Sequence, residues 1–261
     1  MAFLTAYATD KGIKKTTNQD ALLIKLANST IGDIAMIAIC DGMGGLEKGE
    51  VASSSMIQRL SSWMEEELPQ ILEQTLDGTE ICGAMNVVIE GMNHSLAEYG
   101  RQQGIELGTT LTAMLVIQDH YYVAHVGDTR LYEIKQDIRQ ITADQTVVAN
   151  EIKMGRLTPQ AAEADARRSI LLQCIGASET VTVDFLSGMI DPEAVYMICC
   201  DGFRHELKTE EMFAAFSPQK ITNEELMEKQ CHSLVELNMQ RMEKDNISVV
   251  LLRAYQEEYG A

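Results

Sequence analysis

"IAMIAICDGMGGLEKGEVAS", residues 34–53, decides how the chain is read. An apolar run ends abruptly in Asp41-Gly42, a short Gly-rich loop follows, and a helical pattern takes over. The run reads as a buried strand. A buried strand that ends on a carboxylate raises the question of what that charge meets, since burying a lone carboxylate is costly.

Working outward, "ALLIKL" (21–26) and residues 31–40 read as paired strands joined by the polar "ANST". The spacing after the loop predicts a helix over 51–64, with Met56, Leu60, Trp63 and Met64 on one face. A second helix is expected over about 80–102, with Met85, Val88, Ile89, Met92 and Leu96 inward. "TTLTAMLVI", "YYVAHV", "RLYEI" and "IRQIT" form a β-rich block. Its short polar breaks predict hairpins and antiparallel pairing. A polar helical region follows Asp144 to about 168, with Thr158-Pro159 as a helix start. "AVYMICC" (194–200) and "ISVVLLR" (247–253) read as strands. Between them, Thr209-Glu210-Glu211 opens one helix, and Thr222-Asn223-Glu224-Glu225 opens another with capping-box spacing. Neither a repeat nor a Pro/Gly-rich linker divides the chain, so a single domain over 1–261 is expected.

The chain carries a formal charge of −18. That disfavours nucleic acid, whose phosphates call for Lys and Arg, and it disfavours an anionic membrane surface. The six cysteines include no C-x-x-C pair and sit mostly in apolar runs. With no signal peptide or membrane-length apolar run in view, a reducing cytoplasm is the expected compartment.

Asp41 is not alone. Asp201 follows "VYMICC", Asp128 follows "YYVAHVG", Asp245 stands just before "NISVVLLR", and Asp20 just before "ALLIKL". Carboxylates gathered at the strand ends would repel one another unless hard divalent cations neutralise them. Mg²⁺ or Mn²⁺ suits such an all-oxygen set. Each Asp taken alone also reads as an ordinary turn residue, and the pattern leaves both readings open. Several chemistries lack their spacing: the Cys-to-Arg phosphatase loop, the Asp-x-Asp pair, the nucleotide P-loop, the G-x-S-x-G elbow and H-E-x-x-H.

Seven segments in order resemble the metal-dependent protein serine/threonine phosphatases of the protein phosphatase 2C type, in their bacterial form. They are "TDKGIKKTTNQDALLI", "CDGMGGLEKGEVAS", "GTTLTAMLV", "AHVGDTRLYEI", "ITADQTVVANEIKMGRLT", "CCDGFRHELKTEEM" and "KDNISVVLLR". The resemblance implies an α+β fold: a four-layer α-β-β-α sandwich of two antiparallel sheets flanked by helices, with a flap subdomain at about 145–180. It implies hydrolysis of phosphoserine and phosphothreonine in proteins with two Mn²⁺ or Mg²⁺ ions. Asp41 would bridge them. Asp201 and Asp245 would hold one, and the Gly42 carbonyl and, through water, Asp20 would serve the other. Asp128 would serve a third, weaker ion. A metal-bridging water would attack directly, with no phosphoenzyme. Implied partners are phosphorylated proteins, a serine/threonine protein kinase among them, met by a monomer.

Three positions depart from the family pattern. Lys15 stands where an Arg grips substrate phosphate, which predicts weaker phosphate binding. Gln19 replaces a Glu, which predicts weaker metal affinity. His205 replaces an acid or amide and bears on the third ion. The first two also fit an alternative, a catalytically weakened binding or regulatory module of the same fold. A phosphatase for a small phosphorylated metabolite is a third reading. Arg167 and Arg168 could meet a phosphopeptide, but they read first as ordinary solvated charges.

Overall fold

The computed structural model describes residues 1–43 and 48–255, apart from the side chain of residue 163. Residues 44–47, the rest of the Gly-rich loop, lie outside the described residues.

Two five-stranded antiparallel sheets face each other. The first contains β2 (Asp20–Ser29), β3 (Gly32–Asp41), β4 (Leu111–Ile117), β5 (His120–Val126) and β8 (Asp184–Met189), neighbouring in that order. The second runs β1 (Ala2–Asp10), β10 (Ile247–Tyr255), β9 (Val195–Cys199), β6 (Arg130–Ile134) and β7 (Ile138–Gln140). Outside the first sheet lie α1 (Gly49–Glu66), α2 (Leu68–Leu72) and α3 (Gly78–Gln103). Outside the second lie α7 (Thr209–Phe216) and α8 (Glu224–Gln240). The expected four-layer sandwich is the architecture found.

The quoted run explains itself in this frame. In β3, Ala35, Ile37 and Ile39 point into the core between the sheets. Ile34, Met36, Ala38 and Cys40 point to the layer of α1 and α3. Both faces are covered, so the strand reads as continuous apolar sequence instead of alternation. Met56, Leu60, Trp63 and Met64 of α1 pack on it as the helical spacing requires. On α3, Met85, Val88, Ile89 and Leu96 are buried, whereas Met92 is only partly so. Asp77 caps α3 by accepting from Thr79 N at 2.7 Å.

The β2–β3 and β4–β5 pairs are hairpins, as is β6–β7. The short break between β5 and β6 is not. There the chain leaves one sheet and enters the other through Gly127-Asp128-Thr129. Two further readings change. The region after Asp144 holds two short helices, α4 (Val147–Lys153) and α5 (Pro159–Glu163), and the second stops short of the expected end near 168. Thr158 does cap α5, accepting from Ala161 N at 3.2 Å. Asn223, not Thr222, caps α8, accepting from Leu226 N at 2.9 Å. Thr209-Glu210-Glu211 opens α7 as expected, with Glu211 accepting from the Lys208 N–H at 2.9 Å just before it. β1 and β8 carry no clear strand signal. Both are edge strands with exposed positions, where strict alternation is not enforced.

Candidate metal centre

Asp20 opens β2 and Asp41 closes β3, directly opposite each other in the antiparallel register. In the facing sheet, Asp201 follows β9 as the first residue of the short helix α6 (Asp201–Arg204), and Asp245 lies just before β10. Asp128 sits on the crossing between the sheets. The five carboxylates therefore come from one end of the sandwich. Asp41 is held well above the ordinary carboxylate range, first by burial and then by the charges of Asp20, Asp201, Asp128 and Asp245. That one residue feels all four others is the electrostatic sign that the strand ends converge.

Asp20 is the most informative ligand candidate. Among the described residues, both its carboxylate oxygens are buried without a hydrogen-bond partner, a condition folded proteins rarely leave uncompensated. Burial pushes it up to about 7; the neighbouring Ser248 and Cys200 oppose that, and Asp201 and Asp245 add to it. Oxygens of Asp20 and Asp41 and the Cys200 sulfur lie within 4.8 Å of one another. The thiol is already engaged, donating to Asn246 O at 3.4 Å and accepting from Ser248 N at 3.1 Å. Burial, then Asp20, Asp41 and Asp201, hold it well above the usual thiol range, hence protonated. The donors left are hard oxygens, and they fit Mg²⁺ or Mn²⁺ better than a thiolate-seeking ion.

The backbone around Asp41 is fixed by threonines. Asp41 N donates to Thr110 Oγ1 at 2.9 Å, and Thr109 Oγ1 and Thr110 N each donate to Asp41 O at 2.9 Å. Gly42 is required by close approach: an added Cβ would sit 2.4 Å from Gly49 O and 2.5 Å from Gln19 O. Met43 joins this frame through its N–H to Gly108 O at 3.0 Å. Thr109 also pairs with Ile175, which ties the 145–180 segment to the strand ends of the centre.

Lys15 enters from the loop between β1 and β2. Its Nζ lies 2.7 Å from Asp245 Oδ1. Burial lowers its pKa, but the bond to Asp245 and the charges of Asp245, Asp41 and Asp201 outweigh this and raise it. The loop is stapled by Asn246, whose Nδ2 donates to Lys11 O at 3.0 Å and Thr17 O at 3.2 Å, while its Oδ1 accepts from Gln19 N at 2.9 Å. Gln19 contributes its carbonyl, accepting from Gly42 N at 3.0 Å and Ser53 Oγ at 2.6 Å. That role belongs to the backbone and survives the change from Glu.

The sequence reading did not single out Asn246, Thr109 or Thr110, although each stands beside a motif aspartate or glycine. It also did not find two charged neighbours. Arg204 Nη2 is 3.6 Å from Asp128 Oδ2 and 3.9 Å from Asp144 Oδ2. Glu243, 6% exposed, accepts from Lys244 N and Asp245 N at 2.6 and 2.8 Å and stands 3.6 Å from His205 Nδ1. His205 Nε2 in turn is 3.5 Å from Asp201 Oδ2. Burial lowers the His205 pKa, but Glu243 and Asp201 outweigh burial and Arg204 and raise it. Arg167 pairs locally with Asp165 at 2.8 Å and is half exposed, in keeping with a surface charge.

A family model described as protein phosphatase 2C matches residues 11–236. The serine/threonine protein phosphatase PstP of Mycobacterium tuberculosis is 26% identical over 260 residues, covering 98% of this chain and 46% of that protein. The chain thus spans about half the length of that relative. The protein phosphatase PhpP of Streptococcus pneumoniae is 26% identical over 255 residues, covering 96% of this chain and 97% of that one. The solved catalytic domain of PstP, in complex with two manganese ions, is similar with a TM-score of 0.78 at 25% identity, covering 98% of this chain and all of that domain.

Proposed function

This chain belongs to the protein phosphatase 2C family, and from that premise we propose that it is a divalent-metal-dependent phosphatase of phosphoserine and phosphothreonine in proteins. The observation that carries this is the convergence of Asp20, Asp41, Asp201 and Asp245, with both Asp20 oxygens buried and unpartnered among the described residues. Asp41 would be shared by two Mn²⁺ or Mg²⁺ ions. Asp201 and Asp245 would hold one, and the Gly42 carbonyl and Asp20 would serve the other. When bound, such ions neutralise phosphoryl oxygens and make water a nucleophile at neutral pH.

The protein's own part is placement. The Thr109-Thr110 bonds fix Asp41, Asn246 fixes the loop of Lys15, and Glu243 fixes the backbone at Asp245. The Lys15 side chain is 31% exposed, so it can reach a phosphate from the edge of the centre. A lysine offers that phosphate a point charge, where arginine offers a fork. Lys15→Arg is therefore expected to lower KM for a phosphopeptide about 3–10-fold, with kcat changed less. Steady-state kinetics on both proteins checks this, and an unchanged or higher KM would remove Lys15 from substrate binding.

The raised carboxyls also give a pH signature. Asp20 and Asp128 lie at about 7 in the fold and at about 3.9 unfolded. Groups raised on folding favour the fold most below about pH 4. That contribution is lost as pH climbs to about 7. Without divalent ions, the melting temperature should therefore fall across this window. Mn²⁺ at a hundredfold excess over Kd should restore about 2.7 kcal/mol at pH 7.5, and much less near pH 5, where protons compete. Melting curves with Mn²⁺ and with chelator test both signs.

The reading extends to phosphoprotein partners, including a serine/threonine protein kinase, met by a monomer in the cytoplasm. Supporting the compartment, all six cysteines are free. Among the described residues, no helix is long and apolar enough to cross a membrane. One domain with residues 145–180 as a flap beside the centre completes the proposal. The binding-module alternative rests on Lys15 and Gln19, and the retained convergence of Asp20, Asp41, Asp201 and Asp245 speaks against it. Hydrolysis of p-nitrophenyl phosphate with Mn²⁺, and its loss with chelator, decides between the two. A folded protein inactive at every metal concentration would favour the module.

A further inference from the structure

Asp128 already has its cation. Arg204 Nη2 donates to the Asp128 carbonyl at 3.2 Å and stands 3.6 Å from its carboxylate Oδ2. The same nitrogen is 3.9 Å from Asp144 Oδ2. The side chains of Arg204, Asp128 and Asp144 are 14%, 9% and 13% exposed, so these charges meet mostly out of solvent. Asp144 is held rigidly by Arg130, whose Nε and Nη2 donate to its two oxygens at 2.8 and 2.7 Å. Arg130 Nη1 donates in turn to Tyr132 OH at 3.0 Å. Among the described residues Arg204 Nε is buried without a partner, and two carboxylates and one carbonyl face the guanidinium there.

We propose that the Arg204 guanidinium takes the place at Asp128 that a further divalent ion would otherwise fill, so that this is a two-ion centre with a built-in third cation. The inference rests on the metal-centre reading above. The charges favour it. Asp128 and Asp144 are matched by Arg204 and Arg130, two against two. Asp20, Asp41, Asp201 and Asp245 are matched within the centre by Lys15 and, when protonated, His205. Arg204 offsets Asp128 from one side while burial, Asp201 and Asp144 press on it from the others, so the greater unmet charge lies on those four carboxylates. Arginine does not shed its proton in proteins. A divalent ion on Asp128 would therefore face a permanent like charge a few ångströms away in a poorly screened site, whereas Lys15, 31% exposed at the rim, is free to leave Asp245 for a substrate phosphate.

Counting bound Mn²⁺ tests this without reference to turnover. Equilibrium dialysis with metal analysis, cross-checked by the paramagnetic resonance signal of free Mn²⁺, should give two ions per chain for the wild type. Asp128→Asn should also bind two. Arg204→Met should bind three, and Arg204→Met combined with Asp128→Asn should return to two. Three ions in the wild type, falling to two in Asp128→Asn, would overturn the proposal. So would an Arg204→Met protein that still binds two. Should Arg204→Met fail to fold, the wild type against Asp128→Asn decides alone. Fewer than two ions in the wild type would overturn both the proposal and the metal-centre reading beneath it.

Discussion

Asp41→Asn is expected to cut phosphopeptide turnover by about 10³-fold or more while the fold persists. A carboxylate shared by two cations bears on both, and several kcal/mol of charge stabilisation go with such ions; each 1.36 kcal/mol is about tenfold in rate. Structurally the change is mild. Asn is close in shape to Asp, and the hydrogen bonds that fix this position involve only its backbone N and O. Stability without metal should even rise. Burial and four neighbouring carboxylates hold the Asp41 carboxyl far above its unfolded value. Its contribution to the fold is therefore lost as pH rises past the unfolded value of about 3.9. At pH 7.5 and with chelator, Asp41→Asn should melt several degrees above wild type, at about 2–4 °C per kcal/mol. Near pH 4 the gap should close. A mutant that keeps a tenth of wild-type turnover, or melts below wild type with chelator at pH 7.5, would contradict the role given to Asp41.

Gly202→Ala should have the largest effect on stability. Alanine normally gains about 1 kcal/mol over glycine inside a helix, so propensity alone predicts stabilisation. Geometry reverses the sign. The new Cβ would lie 2.1 Å from Asn246 O and 3.2 Å from the Asp245 Cβ. The obstacle is backbone, and that backbone is pinned: Asn246 O accepts from Cys200 Sγ, and the Asn246 side chain staples the Lys15 loop. Overpacking of this kind costs about 3 kcal/mol, or about 6–12 °C in melting temperature. The strain falls between Asp201 and Asp245, so Mn²⁺ affinity should drop about tenfold as well. Thermal melts and Mn²⁺ titration read the two effects separately. A variant melting within about 1 °C of wild type would show that α6 and the start of β10 can part freely.

The sequence was most legible where burial is two-sided. β3 and β9 read as strands because core lies on both faces; β3 ends on Asp41, and Asp201 follows β9 one residue on. Those same strands place two of the carboxylates, so fold and site were read from one pattern. Legibility failed for elements with a solvent side, such as β1 and β8, whose alternation is imperfect. It failed again at the β5–β6 break, because a three-residue connection looks the same whether the chain turns back or changes sheets. The supporting charges were least visible. Arg204 meets Asp128 across 76 residues, and Asn246 reaches Lys11 across 235. No local spacing announces such contacts; only the closed sandwich brings them together.

The pairing of β1 with β10, from Ala2 opposite Tyr255 to Asp10 opposite Ile247, has a consequence for synthesis. A ribosome delivers Asp20 and Asp41 early and together, on the β2–β3 hairpin. Asp245 and the strand that fills the gap between β1 and β9 arrive more than 200 residues later. At about 5–20 residues per second, that interval is roughly 10–50 s. Throughout it the nascent chain lacks Asp245 and the strand that joins β1 to β9. The carboxylates of the proposed centre therefore come together only after β10 has been made, and a chain cut before Asp245 would lack one of them.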